Sequence, residues 1–165
     1  MTPSRSTMSN AVFRAAYAAI RAFDPLLHAA WASGGLGITS RLTVVGRSSG
    51  RERSVLVGLI NVDGRWYVGH PNGEVSWTAN LRNAGRGPIA PTSGTQLEVA
   101  ARPLHDGPER DAVIRATADQ QPFPANLLYR AARGHILTEG RYFRLEPTAG
   151  NLTARADRRH TQSCR

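Results

Sequence analysis

The chain contains no lysine, so its 21 permanently cationic side chains are all arginines. This absence excludes Schiff-base catalysis and the lysine-bearing phosphate loop, because both need a primary amine. Cys164 is the single cysteine, which excludes an internal disulfide and a cysteine metal cluster and favours a reducing cytoplasm. Acidic residues number only 12, and the resulting net charge of +9 favours anionic partners.

Long apolar runs are also missing. Residues 11–31 are rich in apolar side chains, but charged and titratable residues interrupt them, namely Arg14, Arg21, Asp24 and His28. These interruptions exclude a transmembrane span and the clean apolar region of a secretion signal. The composition, 41% hydrophobic and 20% charged, is that of a globular domain. We expect one domain over residues 1–147 and a polar, arginine-rich tail over residues 148–165.

The apolar periodicity predicts an α+β domain around a mostly antiparallel sheet. An amphipathic helix is expected over residues 10–32, and the clearest local signal is a hairpin whose strands, residues 54–62 and 65–70, meet at Asp63-Gly64. Asp106 is expected to be a helix N-cap, with Glu109 three residues later. The remaining predicted elements are strands over 41–46, 96–102 and 142–146, a strand that opens at Ile89, and helices over 74–83, 111–121 and 125–133.

The segment from Gly46 to Arg53, GRSSGRER, is the most informative part of the chain, because a glycine-bounded, arginine-rich turn separates two apolar runs. Amides of a tight turn can converge on an anion, and guanidinium groups match phosphate oxygens bidentately. We interpret the turn as a grip for an anionic ligand; a solvated hairpin turn is the alternative. The letters also fit the G-x-S-x-G nucleophile elbow, but that elbow precedes a helix, and the residues after Arg53 predict a strand, which disfavours a hydrolase.

Together with the Asp63-Gly64 hairpin and the later segment WTANLRN at residues 77–83, this turn resembles the deazaflavin-dependent nitroreductase family of actinobacteria. Family members typically show a G-R-x-S-G turn with an arginine three residues beyond it, a hairpin, and a W-x-x-N-L segment at the next helix. The likeness covers residues 40–147. It implies a split β-barrel of the FMN-binding type and binding of coenzyme F-420, a deazaflavin with a phosphodiester and an acidic oligoglutamate tail.

The resemblance implies a phosphate site at the turn. Arg47, Ser48 and Ser49 would bind the phosphate, and Arg53 would support the acidic tail or the turn itself. Hydrogen bonds to charged groups contribute about 1.5–3 kcal/mol each, so two or three of them could dominate cofactor affinity. Ser48 stands where relatives often carry lysine, and this departure predicts weaker binding.

The resemblance places the deazaflavin ring against the strand that follows the turn. The backbone at Leu56 and Val57 would lie along the ring, although Leu56 stands where many relatives have proline. Asn80 would donate to the cofactor from the next helix. Trp77 could form a wall of the ring pocket, and packing in the core is the alternative for so large an aromatic side chain.

Three further residues are candidates from the resemblance. The loop over residues 69–73 is shorter than the glycine-rich loop usual in relatives, and His70 and Asn72 could replace its donors. A solvated turn is the alternative for His70. Tyr129 is a candidate on the substrate side, with ordinary packing as its alternative.

The function that the resemblance implies is hydride transfer from the reduced deazaflavin to an electron-poor small molecule such as a quinone or a nitroaromatic compound. No metal site is expected, because the histidines show no metal-ligand spacing. One alternative is an FMN-binding reductase of the same barrel type, since the turn could hold a terminal phosphate. Another is a barrel that binds the deazaflavin or an apolar ligand without catalysis.

The positive charge raises the question of other partners. Nucleic acid is not expected, because the aromatic residues, 7% of the chain, are not interleaved with the arginines as in a base-stacking platform. The helix over residues 10–32 could contact a membrane surface peripherally, and packing against the barrel or a second copy is the alternative use of its apolar face. We expect a cytoplasmic monomer or homodimer.

Overall fold

The computed structural model describes residues 39–91, 95–121 and 125–148. The helix expected over residues 10–32 lies outside these ranges, as does all of the expected tail except its first residue. None of the helices within the described ranges is long and apolar enough to cross a membrane.

Seven strands of the described residues form one antiparallel sheet. They are β1 Thr39–Val45, β2 Glu52–Gly58, β3 Ile60–Val62, β4 Arg65–His70, β5 Arg86–Pro91, β6 Leu97–Pro103 and β7 Arg141–Pro147. Across the sheet the order is β2-β1-β5-β6-β7-β4-β3, so the two outermost strands follow each other directly in the chain. The sheet therefore curls, and β2 also contacts β4.

The single strand predicted over residues 54–62 is wrong. The chain forms β2 as far as Gly58 and β3 from Ile60, and these strands lie at opposite edges of the sheet. Val57 and Ile60 are both buried, but in different hydrophobic clusters. Both halves of the segment bury apolar side chains, so the apolar periodicity of the sequence continues without a break. It therefore does not show where the chain leaves one edge of the sheet and joins the other.

The Asp63-Gly64 hairpin is confirmed. β3 pairs with β4 so that Val62 lies opposite Arg65, and Asp63 and Gly64 have φ angles of 50° and 77°. A two-residue turn with positive φ at both central positions matches the twist of the flanking strands, and the pair Asp-Gly adopts it readily.

A side chain covers the outer edge of β3. The backbone N–H of Asn61 donates to Oε1 of Gln120 at 3.0 Å, and Nε2 of Gln120 donates to the carbonyl of Asn61 at 2.6 Å. The Gln120 amide thus replaces the backbone of a further strand at this position.

Four helices of the described residues accompany the sheet: α1 Ser76–Ala84, α2 Pro108–Gln120, α3 Ala125–Ala131 and α4 Arg133–Glu139. The helices predicted over 74–83 and 111–121 are confirmed with shifted ends. The helix predicted over 125–133 ends at Ala131 instead, and α4 follows it without having been predicted. Gly134 and the β-branched Ile136 and Thr138 give α4 a weak helix propensity, which explains the omission. The strand expected to open at Ile89 begins earlier, at Arg86.

Asp106 is not the N-cap of α2, and that prediction is wrong. Gly107 takes the N-cap position, and the carboxylate of Asp106 pairs with Arg110. Arg110 is only 4% exposed, and its guanidinium also donates to the carbonyl of Gly140 at 2.9 Å. A buried cation needs a negative partner and filled hydrogen bonds, so this pairing prevails over the cap.

The core consists of two clusters of buried side chains. The first lies within the curl of the sheet and beneath α1 and contains Leu42, Val44, Val57, Val68, Leu81, Ile89, Val99, Ala101, Phe143 and Leu145. The second joins β3, β4 and β7 to α2 and α4 and contains Ile60, Tyr67, Val113, Ile114, Ala132, Ile136 and Tyr142. The candidate site described below lies next to the first cluster.

Candidate functional site

The turn between β1 and β2, residues 46–51, is tightly closed by its own backbone and is called the cationic turn below. The N–H of Gly46 donates to the carbonyl of Arg51, and the N–H of Gly50 donates to the carbonyl of Gly46, both at 2.8 Å. Gly50 has a φ of 64°, which favours glycine. A Cβ at Gly46 would lie 2.7 Å from Oγ of Ser49, so this position also has little room for a side chain.

The cationic turn leads into a strand and not into a helix. β2 begins at Glu52 and pairs antiparallel with β1, with Val45 opposite Glu52. The nucleophile elbow requires a helix directly after its serine. The expectation against a hydrolase is therefore confirmed for Ser48, which lies exposed in a hairpin connection.

Helix α1 holds the cationic turn in place through Asn80. Oδ1 of this side chain accepts the backbone N–H of Arg47 at 3.2 Å and the Nη1 group of the same residue at 3.4 Å. Asn80 is 6% exposed, and α1 positions it by packing Ala79 and Leu81 inward. The turn and the helix thus form one wall of a shared cavity.

That cavity is a cleft of about 980 Å³, bounded by the cationic turn, strand β2, the end of β4 and the first half of α1. It unites six of the residues expected to bind the cofactor: Arg47, Arg53, Leu56, His70, Trp77 and Asn80. The other lining residues were not predicted and are Val44, Ser54, Val55, Glu74, Val75, Ser76 and Ala79. Cofactor binding by the six united residues stays a prediction.

The cleft carries uncompensated positive charge. Within the described residues, neither Arg47 nor Arg53 forms an ion pair with a carboxylate. Glu74 also lines the cleft, but Arg82 neutralises it at 2.6 Å. Helix α1 begins at the same wall with no acidic residue in its first turn, so the positive end of its dipole adds to the field. An anion entering the cleft would meet two guanidinium groups.

Part of the cleft lining is aromatic. The rings of His70 and Trp77 meet edge to face with their centroids 6.3 Å apart. His70 is 6% exposed, and its Nδ1 accepts the backbone N–H of Asn72 at 3.3 Å. Oδ1 of Asn72 lies 2.9 Å from Nε2 of His135 on α4. His70 is therefore a buried, oriented part of the lining, and the alternative of a solvated turn histidine is wrong.

Trp77 contacts both the core and the cleft, and its role as a wall of a ring pocket stays a prediction. The side chain is half-buried, packs against the first core cluster, and also lines the cleft.

The structure places the other candidates outside the cleft lining. Ser48 and Ser49 lie exposed on the cationic turn, and Ser49 Oγ accepts the N–H of Arg51 at 3.4 Å. Val57 points its side chain into the first core cluster, and Asn72 contacts the cleft only through His70. Tyr129 packs against the second cluster and is not brought to the cleft.

A second polar cluster lies between β4, β7 and α2. The hydroxyl of Tyr67 donates to Oε1 of Glu109 at 2.9 Å, and Arg144 contacts the same carboxylate at 3.2 Å. Burial, helped by the negative charge of Glu109, raises the pKa of Tyr67. The hydrogen bond from Arg102 is the main cause that lowers the pKa of Glu146. None of these groups lines the cleft, so we assign them to stability.

No group of three or more histidine, cysteine, aspartate or glutamate side chains in the described part of the chain could hold a metal ion. The candidate site is a cleft lined by two exposed guanidinium groups, those of Arg47 and Arg53, and by the rings of His70 and Trp77.

Comparison with known proteins gives the fold its context. No protein-family model and no curated protein matches the chain. Among solved structures, an F420-H2 dependent reductase is similar with a TM-score of 0.52 and 19% identity, over 66% of this chain and 94% of that one. A conserved hypothetical protein of Mycobacterium tuberculosis is similar with a TM-score of 0.52 and 13% identity, over 66% and 72% of the two chains. The heme storage protein HutZ of Vibrio cholerae has a TM-score of 0.51 and 15% identity, over 68% and 82%.

These likenesses are of fold, because all three identities are low. The seven-stranded, curled antiparallel sheet with helices against it confirms the expected α+β class and split β-barrel. The chain has the split-barrel fold, and it shares that fold with an F420-H2 dependent reductase, in agreement with the family resemblance of its sequence.

Proposed function

We propose that the cleft binds coenzyme F-420 and that the protein is a deazaflavin-dependent oxidoreductase acting on a quinone-like or nitroaromatic acceptor. The observation that carries this proposal is the position of Arg47 and Arg53. Both guanidinium groups line one cleft, and neither is neutralised by a carboxylate of the described residues. Two exposed guanidinium groups that line one cleft without a carboxylate partner give it a positive potential, which attracts an anionic ligand.

The phosphodiester of the cofactor fits the cationic end of the cleft. Arg47 and Arg53 can each offer paired N–H donors to phosphate oxygens, and the exposed hydroxyls of Ser48 and Ser49 stand on the same turn. The acidic tail of the cofactor would continue past Arg53 toward solvent. With no lysine in the chain, every one of these cationic contacts depends on arginine.

The deazaflavin ring would lie beside strand β2 and the rings of Trp77 and His70. β2 is an outer strand of the sheet, and its segment from Arg53 to Leu56 lines the cleft, so its outward backbone groups are available to a polar ring edge. Val57 would contribute through its backbone alone, because its side chain is 5% exposed. Trp77 and His70 would bound the ring on the aromatic side, with Asn72 fixing the imidazole.

The bound deazaflavin would supply the hydride chemistry from carbon 5 of its reduced ring. The chain itself binds, orients and partly desolvates the reacting groups, which is the usual contribution of a protein to cofactor chemistry. A protonating role for Tyr129 is not proposed, because that side chain packs away from the cleft. The structurally similar reductase is F420-H2 dependent, which supports the choice of cofactor. The homodimer and the membrane contact through residues 10–32 stay predictions.

The test is a parallel titration of the purified protein with oxidised coenzyme F-420 and with FMN, followed by quenching of cofactor fluorescence. We expect one equivalent of the deazaflavin to bind more tightly than FMN, and reduced cofactor to be oxidised when menadione or a nitroaromatic compound is added. Tighter binding of FMN would favour the flavin reductase. Deazaflavin binding without oxidation by either acceptor would favour a binding protein, and binding of neither cofactor would refute the proposal.

A further inference from the structure

The cationic turn contacts α1 through the neutral side chain of Asn80. Asn80 accepts both the backbone N–H and the guanidinium of Arg47 with a single oxygen. An aspartate of the same shape would accept the same two hydrogen bonds and would also form an ion pair. The amide therefore supplies the geometry of an ion pair without its negative charge.

One acidic residue, Glu74, lines the cleft just before α1 begins. Its carboxylate pairs with Arg82 of α1 at 2.6 Å. Its charge is thus offset locally before it can offset Arg47. Both features leave the field of the cleft positive while the groups that create it stay fixed.

We propose that Asn80 is a positioning residue for anion binding, which holds Arg47 toward the cleft and preserves its charge. The amide acts on the ligand through Arg47 and not as a direct donor to it. Its hydrogen bond to the turn backbone fixes where the side chain of Arg47 begins, and its hydrogen bond to Nη1 fixes where that side chain ends.

The test compares Asn80→Asp, Asn80→Ala and a matched control, Asn83→Asp. Asn83 is exposed on the same helix one turn later, does not line the cleft, and shares only a neighbouring cavity with Arg47, so the control adds an identical charge nearby without replacing the acceptor of the Arg47 hydrogen bonds. The role of Asn80 rests on the proposed function, so the test uses two readouts that do not need the deazaflavin. The first is the affinity for inorganic pyrophosphate, and the second is hydrogen exchange of the Arg47 amide in the ligand-free protein. A chain that fails to bind the deazaflavin can therefore still confirm or refute the role of Asn80.

We expect Asn80→Ala to accelerate exchange of the Arg47 amide about tenfold and to weaken pyrophosphate binding, because the turn loses its attachment. Asn80→Asp should keep the amide protected yet weaken pyrophosphate binding about tenfold or more, because the new carboxylate neutralises Arg47. Asn83→Asp should change the affinity less than threefold, since an exposed charge farther away is screened.

The proposal is refuted if Asn80→Ala leaves exchange of the Arg47 amide unchanged, or if Asn80→Asp and Asn83→Asp weaken pyrophosphate binding equally. It is also refuted if the wild-type chain does not bind pyrophosphate, since Arg47 would then not be held for an anion. Should Asn80→Asp fail to fold, Asn80→Ser takes its place as a shorter neutral acceptor. That variant must then show an affinity between those of wild type and Asn80→Ala.

Discussion

Removing Arg47 is the sharpest test of the candidate site. Its guanidinium lines the cleft, and its one hydrogen bond to a described side chain, at 3.4 Å, goes to a neutral amide. A hydrogen bond to a charged group contributes about 1.5–3 kcal/mol. Because the Arg47 side chain is exposed, we expect the lower half of that range. Arg47→Ala should weaken binding of oxidised coenzyme F-420 by about 1.5–2 kcal/mol, or about 10- to 30-fold.

Arg51→Ala is the matched control. Arg51 belongs to the same turn and carries the same charge, but it does not line the cleft, and it supports the turn through its backbone N–H and carbonyl. Its removal should weaken binding about twofold, an effect that salt reduces further. Fluorescence titrations of both variants at low and at moderate salt give the comparison. Equal losses for Arg47→Ala and Arg51→Ala would refute a specific contact and leave only general attraction to a basic surface.

Three further predictions concern stability, each measured by urea unfolding. Gly87→Ala should lower the free energy of unfolding by about 2–3 kcal/mol, because its Cβ would lie 2.3 Å from the carbonyl oxygen of Thr43; an unchanged midpoint would contradict that contact. Tyr67→Phe should cost about 1–2 kcal/mol at neutral pH by removing the hydrogen bond to Glu109. Since the folded pKa of Tyr67 is raised, this contribution is present below pH about 10 and is lost above it, so wild type and variant should converge in alkali. Trp77→Ala should cost about 2 kcal/mol, less than for a fully buried tryptophan, and no loss would place the indole outside the core.

The parts of the fold that depend on local chemistry could be predicted from the sequence. Asp63-Gly64 demands a particular two-residue turn, and the hairpin formed where it was expected. The bend between Gly58 and Ile60 could not be predicted, because the two halves of that segment bury their side chains in different clusters and share one apolar pattern. The local sequence predicts Asp106 as a cap because it does not show that Arg110 is buried. In the folded protein the carboxylate of Asp106 pairs with Arg110 instead of capping the helix.

The candidate site divides in the same way. Arg47 and Arg53 could be selected as candidates from the sequence, because a glycine-bounded turn rich in arginine can present guanidinium groups to an anion. Val75 and Ala79 could not, because they reach the cleft only when α1 crosses the end of β1, and no local pattern records that crossing. Asn80 was expected to donate to a cofactor, and the structure shows its oxygen accepting from Arg47. A contact between residues 33 positions apart leaves no periodic trace in a single sequence.

The two edge strands of the sheet, β2 and β3, differ in whether a side chain covers their backbone groups, and this difference limits how copies of the chain can associate. At β3 the amide of Gln120 occupies the backbone groups of Asn61, so a strand from another molecule cannot pair there without displacing it. At β2 the rim between Arg53 and Leu56 opens into the cleft. Strand-to-strand association of this domain would therefore have to use β2, and it would compete with whatever molecule fills the cavity.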